Sequence, residues 1–203
     1  MNLENLPFNW FDFVIPLFLL MGALRGRKHG MSEESLYMVQ WLTMFFAATF
    51  TYELLGQFLA SATVFTLLFS NVAMYLTVLI VIRLFFALVK RALGGKLIGS
   101  DIFGGAEYYL GMGAGMVRFT CILMTALSLI NARFVTPAEA QKADNFQIEN
   151  YGKVYFPSTH ALQRQVFQNS FLGRQIKEHL DFLLMKPTAT EDKALHQKEA
   201  VLP

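Results

Sequence analysis

The sequence predicts an all-α protein: a membrane bundle of four transmembrane helices plus a C-terminal extramembrane linker and amphipathic helix. The first observation is composition, because the 203-residue chain is 54% hydrophobic and 16% charged, and a typical soluble domain is about 25% charged. The second is distribution, because long apolar runs fill the first part of the chain and mixed charges follow them. A formal net charge of +2, without a long Lys/Arg cluster, argues against nucleic acid as a partner.

Four apolar runs are long enough to cross a membrane, since roughly 20 mostly apolar residues span about 30 Å of hydrocarbon. They occupy residues 8–24, 35–60, 64–89 and 105–130, and we expect them to form a four-span membrane domain over residues 1–132. The first run has an acidic flank before it and basic residues after it, which is the reverse of a secretory signal. We therefore expect this run to be retained as a membrane anchor.

Basic residues beside the first and third runs predict the orientation of the bundle. Short loops rich in Lys and Arg stay on the cytoplasmic side of a membrane. The N-terminus and the C-terminal tail are then expected outside. The cations expected to anchor the cytoplasmic side are Arg25, Arg27 and Lys28 after the first run, and Arg83, Lys90 and Arg91 near the end of the third.

The chain after the fourth run divides into two polar parts. Residues 133–185 are predicted to form an outward-facing linker and an amphipathic helix, and residues 186–203 a disordered tail. Two interpretations of the helix remain open: it packs against its own domain or a second subunit, or it lies among the lipid headgroups. Its apolar stripe consists of Leu172, Ile176, Leu180, Leu183 and Leu184.

Three ionisable side chains stand out inside the predicted spans, where a charge is costly unless it is paired or wet. With a rise of about 1.5 Å per residue, Asp12 is expected about 18 Å and Arg118 about 20 Å from the cytoplasmic side. Opposite charges at matching depth predict an ion pair between the first and fourth spans. Asp12, Glu53 and Arg118 are therefore the expected intramembrane charge network.

The stretch EYYLGMGAGMVRF places Gly111 and Gly115 on one helix face with Arg118. A dinucleotide-binding loop would need a strand before the glycines in a soluble βαβ unit, and the sequence predicts none here. The G-x-x-x-G spacing instead lets a second helix approach closely. Gly22 and Gly26, at the end of the first run, repeat this spacing. We expect these four glycines to pack helix against helix.

These residues resemble the pattern of the colicin V production protein (CvpA) family. In that family a W-x-D opens the first span, an Arg-Gly follows it, and a D-R-x-x-G-x-x-x-G-x-x-R-G pattern opens the last span. The resemblance covers about residues 9–132, so we expect the tail to lie beyond it. The matching residues are Trp10, Asp12, Arg25, Gly26, Gly111, Gly115 and Arg118, and the departures are Glu107, Tyr108 and Phe119.

The resemblance implies a multi-pass protein of the bacterial inner (cytoplasmic) membrane, linked to toxin (colicin V) production or export and to envelope homeostasis. Two functions stay open: an oligomeric scaffold or channel-like component, or an accessory subunit that binds a partner protein through its C-terminal helix. We expect no enzyme, because no nucleophile and base can be paired at membrane depth. No cofactor or metal site is expected. The expected partners are the lipid bilayer, further copies of the chain and an envelope or export protein.

Overall fold

The computed structural model describes residues 9–97, 104–136 and 159–188, together with a few positions between 139 and 149. These residues form helices joined by short connections, with one isolated β-bridge between Arg133 and Thr188. The prediction of an all-α fold is therefore confirmed. The elements are α1 (Trp10–Ala62), α2 (Leu67–Leu97), a 3-10 turn (Gly104–Ala106), α3 (Glu107–Asn131), α4 (Thr159–Phe167), α5 (Phe171–Leu180) and a second 3-10 turn (Asp181–Leu183).

Helix α1 consists of two arms joined at Gly30, here termed the first arm (residues 10–29) and the second arm (residues 31–62). Gly30 has non-helical dihedrals, φ 74° and ψ 171°, and glycine adopts a positive φ at little cost. The segment RGRKH before Gly30, which the sequence predicts as a loop, is instead the last part of the first arm. Arg and Lys are good helix formers, and Gly26 within the segment packs against Gly111 of α3, so the helix continues to the second glycine, Gly30.

The two arms run in opposite directions along α3. In the first arm, each step of four residues toward Gly30 is matched by a step of four backward along α3. In the second arm, residue numbers rise together with those of α3, so the chain reverses at the single residue between the arms. The facing pairs are Gly22–Gly115 and Gly26–Gly111 for the first arm and Glu34–Arg118 for the second. Farther along, Thr49 of the second arm and Ser128 of α3 reach the same acceptor, the Leu183 carbonyl.

Helix α2 packs antiparallel on the second arm, on the side away from the first. The rings of Tyr52 and Tyr75 lie 6.1 Å apart, centroid to centroid. Asn71 occupies the space left by Gly56, where a side chain would collide with it. Near the tail end, Asn71 Nδ2 also donates to Thr188 Oγ1. Among the described helices α2 packs mainly on the second arm, so it lies at the edge of the bundle.

Two of the described helical segments are long and apolar enough to cross a membrane, Leu67–Ala92 and Gly104–Asn131. They correspond to the third and fourth predicted spans. Neither arm of α1 meets the same test, because Asp12 and the basic segment stand near the two ends of the first arm and polar side chains interrupt the second. That the protein has four transmembrane helices therefore stays a prediction.

The bundle has two ends with different chemistry. The turn end holds Gly30, the start of α3 and the later half of α2. The tail end holds Asp12, the end of α3 and residues 159–188, which fold over it. The predicted single tail helix is two helices, because residues 168–170 interrupt it and the Ser170 hydroxyl caps α5. Lys186 and Thr188 are hydrogen-bonded to Tyr52 and Ala132, and residues 189–203 lie outside the described part, so the disordered tail over residues 186–203 stays a prediction.

Candidate functional site

The first arm and α3 cross at four buried glycines, Gly22, Gly26, Gly111 and Gly115. A Cβ atom at Gly26 would collide with the carbonyl oxygen of Gly111, and one at Gly115 with that of Gly22. The structure thus brings together the glycines that the spacing singled out, and backbone packs directly on backbone. This close contact sets the register between the first arm and α3.

Beside this crossing, Arg118 of α3 forms an ion pair with Glu34 of the second arm. Arg118 Nη1 lies 2.7 Å from Glu34 Oε1, and the two side chains are 14% and 0% exposed. The guanidinium also lies over the Tyr37 ring, 4.8 Å from its centroid, which is a cation–π distance. Glu34 Oε2 and Arg118 Nε have no hydrogen-bond partner among the described residues. Each buried charge therefore depends on the other for its compensation.

Glu107, in the first turn of α3, holds the turn between the two arms. Its Oε1 accepts a hydrogen bond from the backbone N–H of Ser32. Ser32 lies at the start of the second arm, where unpaired N–H groups favour a carboxylate. The same carboxylate packs against Gly30, and a Cβ atom there would collide with it. Glu107 and Gly30 together therefore fix the reversal of the chain.

Asp12 does not pair with Arg118, so the predicted ion pair is not formed. The Asp12 side chain is buried at the tail end and binds the N-terminus of α5. A carboxylate there is favoured by the helix dipole and by the free N–H groups, so Asp12 attaches the tail to the first arm. Its hydrogen-bond donors are Ser170 Oγ at 2.7 Å, Leu172 N at 2.7 Å, Phe171 N at 3.1 Å and Asn9 N at 2.7 Å.

Helix geometry explains this correction. The turn at Gly30 lies opposite Glu107, so Asp12 stands about 27 Å from the turn end and Arg118 about 16 Å, at about 1.5 Å per residue. The depth expected for Asp12 was too small because the first arm continues to residue 29. Side chains on a helix also lean toward its N-terminus, which carries the Arg118 guanidinium toward the turn end and away from Asp12.

Glu53, the third member of the expected network, also lies at the tail end. Its Oε2 is 2.8 Å from Lys186 Nζ, and the two side chains are 44% and 73% exposed. An exposed pair of this kind contributes about 0–1 kcal/mol. The hydrogen bond from Glu53 raises the pKa of Lys186 above its ordinary value. Asp12, Glu53 and Arg118 thus have separate partners, and the structure does not join them into one network.

The apolar stripe of the tail faces the bundle of its own chain. Leu184 is 2% exposed, and the other four leucine and isoleucine side chains of the stripe pack against the core that contains Phe11 and Cys121. Of the two interpretations left open by the sequence, the structure favours packing against the protein's own domain. Polar contacts add to this packing: the Thr49 and Ser128 hydroxyls donate to the Leu183 carbonyl, Asn131 Nδ2 donates to the Met185 carbonyl at 2.8 Å, and the Tyr52 hydroxyl accepts from Lys186 N at 3.0 Å.

The six cations expected at the cytoplasmic side are all exposed and all lie on helices. Lys90 donates a hydrogen bond to the Tyr37 hydroxyl and lies 4.3 Å from the centroid of its ring. Tyr37 therefore contacts both Lys90 and Arg118. Arg83 stands on the outer side of α2. The exposed cations are Arg25, Arg27, Lys28, Arg83, Lys90 and Arg91.

Sequence reasoning missed Glu34, Tyr37 and Ser170. Glu34 was passed over because it lies between two apolar runs and was counted as loop. A signal for it was available, because the arginine side chain leans toward the N-terminus of α3 and hence toward the polar segment before the second run. Ser170 lies 158 residues from Asp12 along the chain, and no local pattern connects the two positions.

In these contacts, charged side chains hold the helices of the bundle together. Across the described ranges no group of three or more His, Cys, Asp or Glu side chains is placed to hold a metal ion. The Glu34–Arg118 pair and the Glu107 contact hold α3 to the second arm and to the turn at Gly30, and Asp12 holds the tail at the other end. Carboxylates thus stabilise both ends of the bundle: Glu34 and Glu107 at the turn end and Asp12 at the tail end.

The fold and the site define a class: an all-α bundle with two helices apolar enough to cross a membrane, packed through glycines. The model of the colicin V production protein family matches residues 11–173 of the chain. The chain belongs to this family. Comparison with curated proteins and with solved structures gives no significant match.

The family match extends further than the sequence resemblance indicated. It runs past residue 132 through α4 and into the first turn of α5. It therefore includes Asp12 and also Ser170, which binds it. The match thus includes the first tail helix and the start of α5, and it ends before the rest of α5 and the residues that follow it.

Proposed function

We propose that the protein is an integral protein of the bacterial inner membrane that acts as an oligomeric scaffold or channel-like component in colicin V production or export and in envelope homeostasis. Membership of the colicin V production protein family supports the link to that process. Two helices of sufficient length and apolarity support a place in a membrane. The observation that carries the oligomer is the uncovered apolar face of α2.

Helix α2 contacts the second arm along one side, and its first half also meets the end of α3 and the tail at Met185 and Thr188. Most of its remaining apolar side chains are exposed. In the apolar segment Leu67–Ala92 few residues are buried: Ser70, Asn71, Tyr75 and Leu79. A contiguous apolar face of this kind is covered by lipid or by another protein surface. Because four helical segments are few for a conduit, several copies would be needed to surround one. The exposed residues on this face include Leu76, Ile80, Val81, Leu84, Phe85 and Leu88.

The oligomer is tested by light scattering on the detergent-solubilised protein over a dilution series. We expect a protein mass that is a fixed multiple of the 23.0 kDa chain. The double variant Leu84→Trp/Leu88→Trp enlarges the α2 face and should shift the mass toward one chain. The matched control, Phe50→Trp on the exposed face of the second arm, should keep the multiple. A strictly monomeric wild type would contradict the oligomeric proposal.

The role in toxin production is tested in a colicin V-producing strain that lacks the gene. Plasmid-borne wild type should restore secreted toxin, and a variant that is present in the membrane but fails to assemble should not. Equal toxin secretion with and without the gene would contradict this role. Intracellular toxin is measured in parallel, because accumulation inside the cell distinguishes a defect of export from one of synthesis.

The alternative is an accessory membrane subunit that binds a partner protein through its C-terminal helix. The outer side of the docked tail is open for such a contact, because Phe182 is 70% exposed and Arg174 and Glu178 are exposed. The variant Phe182→Ser/Arg174→Ser leaves the docking contacts in place. If the alternative holds, this variant loses co-purifying protein but keeps its oligomeric mass. Unchanged co-purification would exclude the alternative.

The proposal contains no enzymatic step. The ionisable side chains that the structure joins, Glu34 with Arg118 and Asp12 with the start of α5, hold helices in place. A scaffold or conduit needs such fixed contacts and no reacting group. Toxin secretion should therefore follow the amount of assembled protein across these variants.

A further inference from the structure

A pocket opens at the turn end between the first arm and α3. Its volume is about 420 Å³, and its lining combines two cations, two tyrosines and two apolar side chains. The volume falls within the range of about 300–1,000 Å³ that small ligands occupy. The lining residues are Leu24, Arg27, Lys28, Tyr108, Tyr109 and Met112.

The register between the helices explains this composition. Residues 24–28 of the first arm lie at the level of the first turns of α3, because Gly26 faces Gly111. The cations stand nearer the turn end, and Leu24 and Met112 stand nearer the middle of the bundle. Charge thus gives way to apolar surface along the pocket in the direction that leads from headgroups to acyl chains in a bilayer.

The tyrosines suit the same boundary. Tyr108 is 60% exposed and Tyr109 is 78% exposed. Tyrosine is enriched at membrane–water interfaces, where its ring lies at headgroup level and its hydroxyl stays wet. A phenol hydroxyl beside two cations can also donate a hydrogen bond to a phosphate oxygen.

The charge near the pocket favours an anion. Arg27 and Lys28 are exposed, and Arg25 lies on the same arm. Glu107, the acidic residue nearest in sequence on α3, does not line the pocket, and its Oε1 accepts from the Ser32 N–H. Arg27 and Lys28 are therefore not compensated by a carboxylate within the lining.

We infer that this pocket binds the headgroup of an anionic phospholipid, with the phosphate at Arg27 and Lys28 and the acyl chains along Leu24 and Met112. Phosphatidylglycerol is the matching chemistry, because it combines one net negative charge with hydroxyl groups that the tyrosines can hydrogen-bond. The inference rests on the proposed place in the membrane. A lipid in this position would bridge the first arm and α3 at the end where the chain reverses.

Native mass spectrometry of the detergent-solubilised protein tests the inference. Phosphatidylglycerol and phosphatidylcholine are added at equal concentrations, and the fraction of protein carrying each lipid is measured. We expect a preference for phosphatidylglycerol that the variant Arg27→Gln/Lys28→Gln loses. A basic residue at an anionic surface contributes about 1 kcal/mol, so the affinity should fall roughly fivefold for each cation removed.

The matched control is Arg83→Gln/Arg91→Gln, which removes two exposed cations from α2 and leaves the pocket unchanged. It should keep the preference within about twofold. A wild type without preference, or an equal loss in the control, would overturn the inference. So would displacement of the lipid by millimolar inorganic phosphate, because the pocket would then be a site for free phosphate.

Two further experiments distinguish a failure of the pocket assignment from a failure of the proposed function. If the double variant does not fold, Lys28→Gln alone is measured, and an unchanged lipid preference in that variant would overturn the inference. Extraction of the wild type from membranes is tested first. A protein that is released by carbonate washing would contradict the proposed place in the membrane, whereas a retained protein without lipid preference contradicts the pocket assignment alone.

Discussion

The Glu34–Arg118 pair illustrates how a buried charge fixes its neighbours. Glu34 is fully buried and Arg118 nearly so, so neither side chain can turn to water when the other is removed. Desolvation makes the net contribution of such a pair small, yet loss of one member costs about 3–5 kcal/mol. Because the second arm and α3 meet nowhere else through opposite charges among the described residues, this contact selects their alignment.

We predict that Glu34→Gln lowers the free energy of unfolding by about 3 kcal/mol, because Arg118 is left buried and without its counter-charge. Unfolding of the detergent-solubilised protein is followed by circular dichroism against denaturant. Glu53→Gln is the matched control, since its exposed pair with Lys186 contributes about 0–1 kcal/mol. The double variant Glu34→Gln/Arg118→Gln should recover part of the loss. If Asp12→Asn, and not Glu34→Gln, is rescued by Arg118→Gln, the assigned pairing is wrong.

At the residue scale, sequence reasoning located the charges but not all of their partners. It marked Asp12 and Arg118 as buried charges that need compensation, and both are compensated. It paired them with each other because it took Leu24 as the end of the first helix, and this placed Asp12 at the same depth as Arg118. The first arm continues five residues beyond Leu24, about 7 Å at 1.5 Å per residue. This difference moves Asp12 away from the level of Arg118, whose partner is Glu34.

Among the helical elements, the crossing of the first arm and α3 depends on the absence of side chains. Backbone atoms of facing glycines approach so closely that no Cβ fits between them. Gly113 lies on the same helix but faces outward, and a Cβ atom there meets nothing within 4 Å. Substitutions at Gly111 and at Gly113 therefore distinguish the effect of packing from the effect of helix propensity.

We predict that Gly111→Ala destabilises the protein by about 1–3 kcal/mol through overpacking. Gly113→Ala should be neutral or stabilising by up to about 1 kcal/mol, because alanine is the better helix former. Both variants are compared by thermal unfolding and by their yield in the membrane. Equal effects of the two substitutions would show that the crossing is looser than the structure indicates.

The tail helices form a second element, and a single carboxylate caps the start of α5 in addition to the apolar and polar contacts of the tail. We predict that Asp12→Asn weakens the start of α5, because it removes the charge that accepts from Ser170, Phe171 and Leu172. Loss of a capping interaction costs about 1 kcal/mol. Hydrogen exchange of the amides of residues 171–173 should quicken by about fivefold.

Asp181→Asn serves as the control for this prediction. It removes an exposed i,i+4 pair with Lys177, which contributes about 0.3–0.5 kcal/mol, and it should leave exchange at the start of α5 nearly unchanged. Unaltered protection in Asp12→Asn would mean that the apolar stripe alone holds the tail. The sequence predicted that stripe but not its attachment point, because contacts between residues 158 positions apart leave no periodic signal.

For the whole molecule, the two ends differ in charge in a way that predicts orientation. The turn end carries Arg25, Arg27, Lys28, Lys90 and Arg91, and positive residues beside short connections remain cytoplasmic. The tail end would then face outward. The all-α class and the four helical segments follow from the four long apolar runs. The reversal at a single glycine depends on packing that the sequence pattern does not show.

We predict that a membrane-impermeant maleimide labels Asn169→Cys in spheroplasts whose inner membrane is intact. It should label Arg91→Cys only after lysis. Both positions are exposed, one at the tail end and the other at the turn end. The native Cys121 is 5% exposed, so the background from the wild type should be low. Labelling of Arg91→Cys before lysis would reverse the orientation.

The bond between Asp12 and Ser170 also constrains the order of biogenesis. Asp12 emerges from the ribosome early, and its acceptor oxygens stay without these donors until almost the whole polypeptide has been synthesised. Until then the Asn9 N–H is the local donor to this carboxylate, and the donors at the start of α5 arrive last. Truncations downstream of α3 should then be recognised by quality-control proteases as insertion defects, although every apolar run is intact.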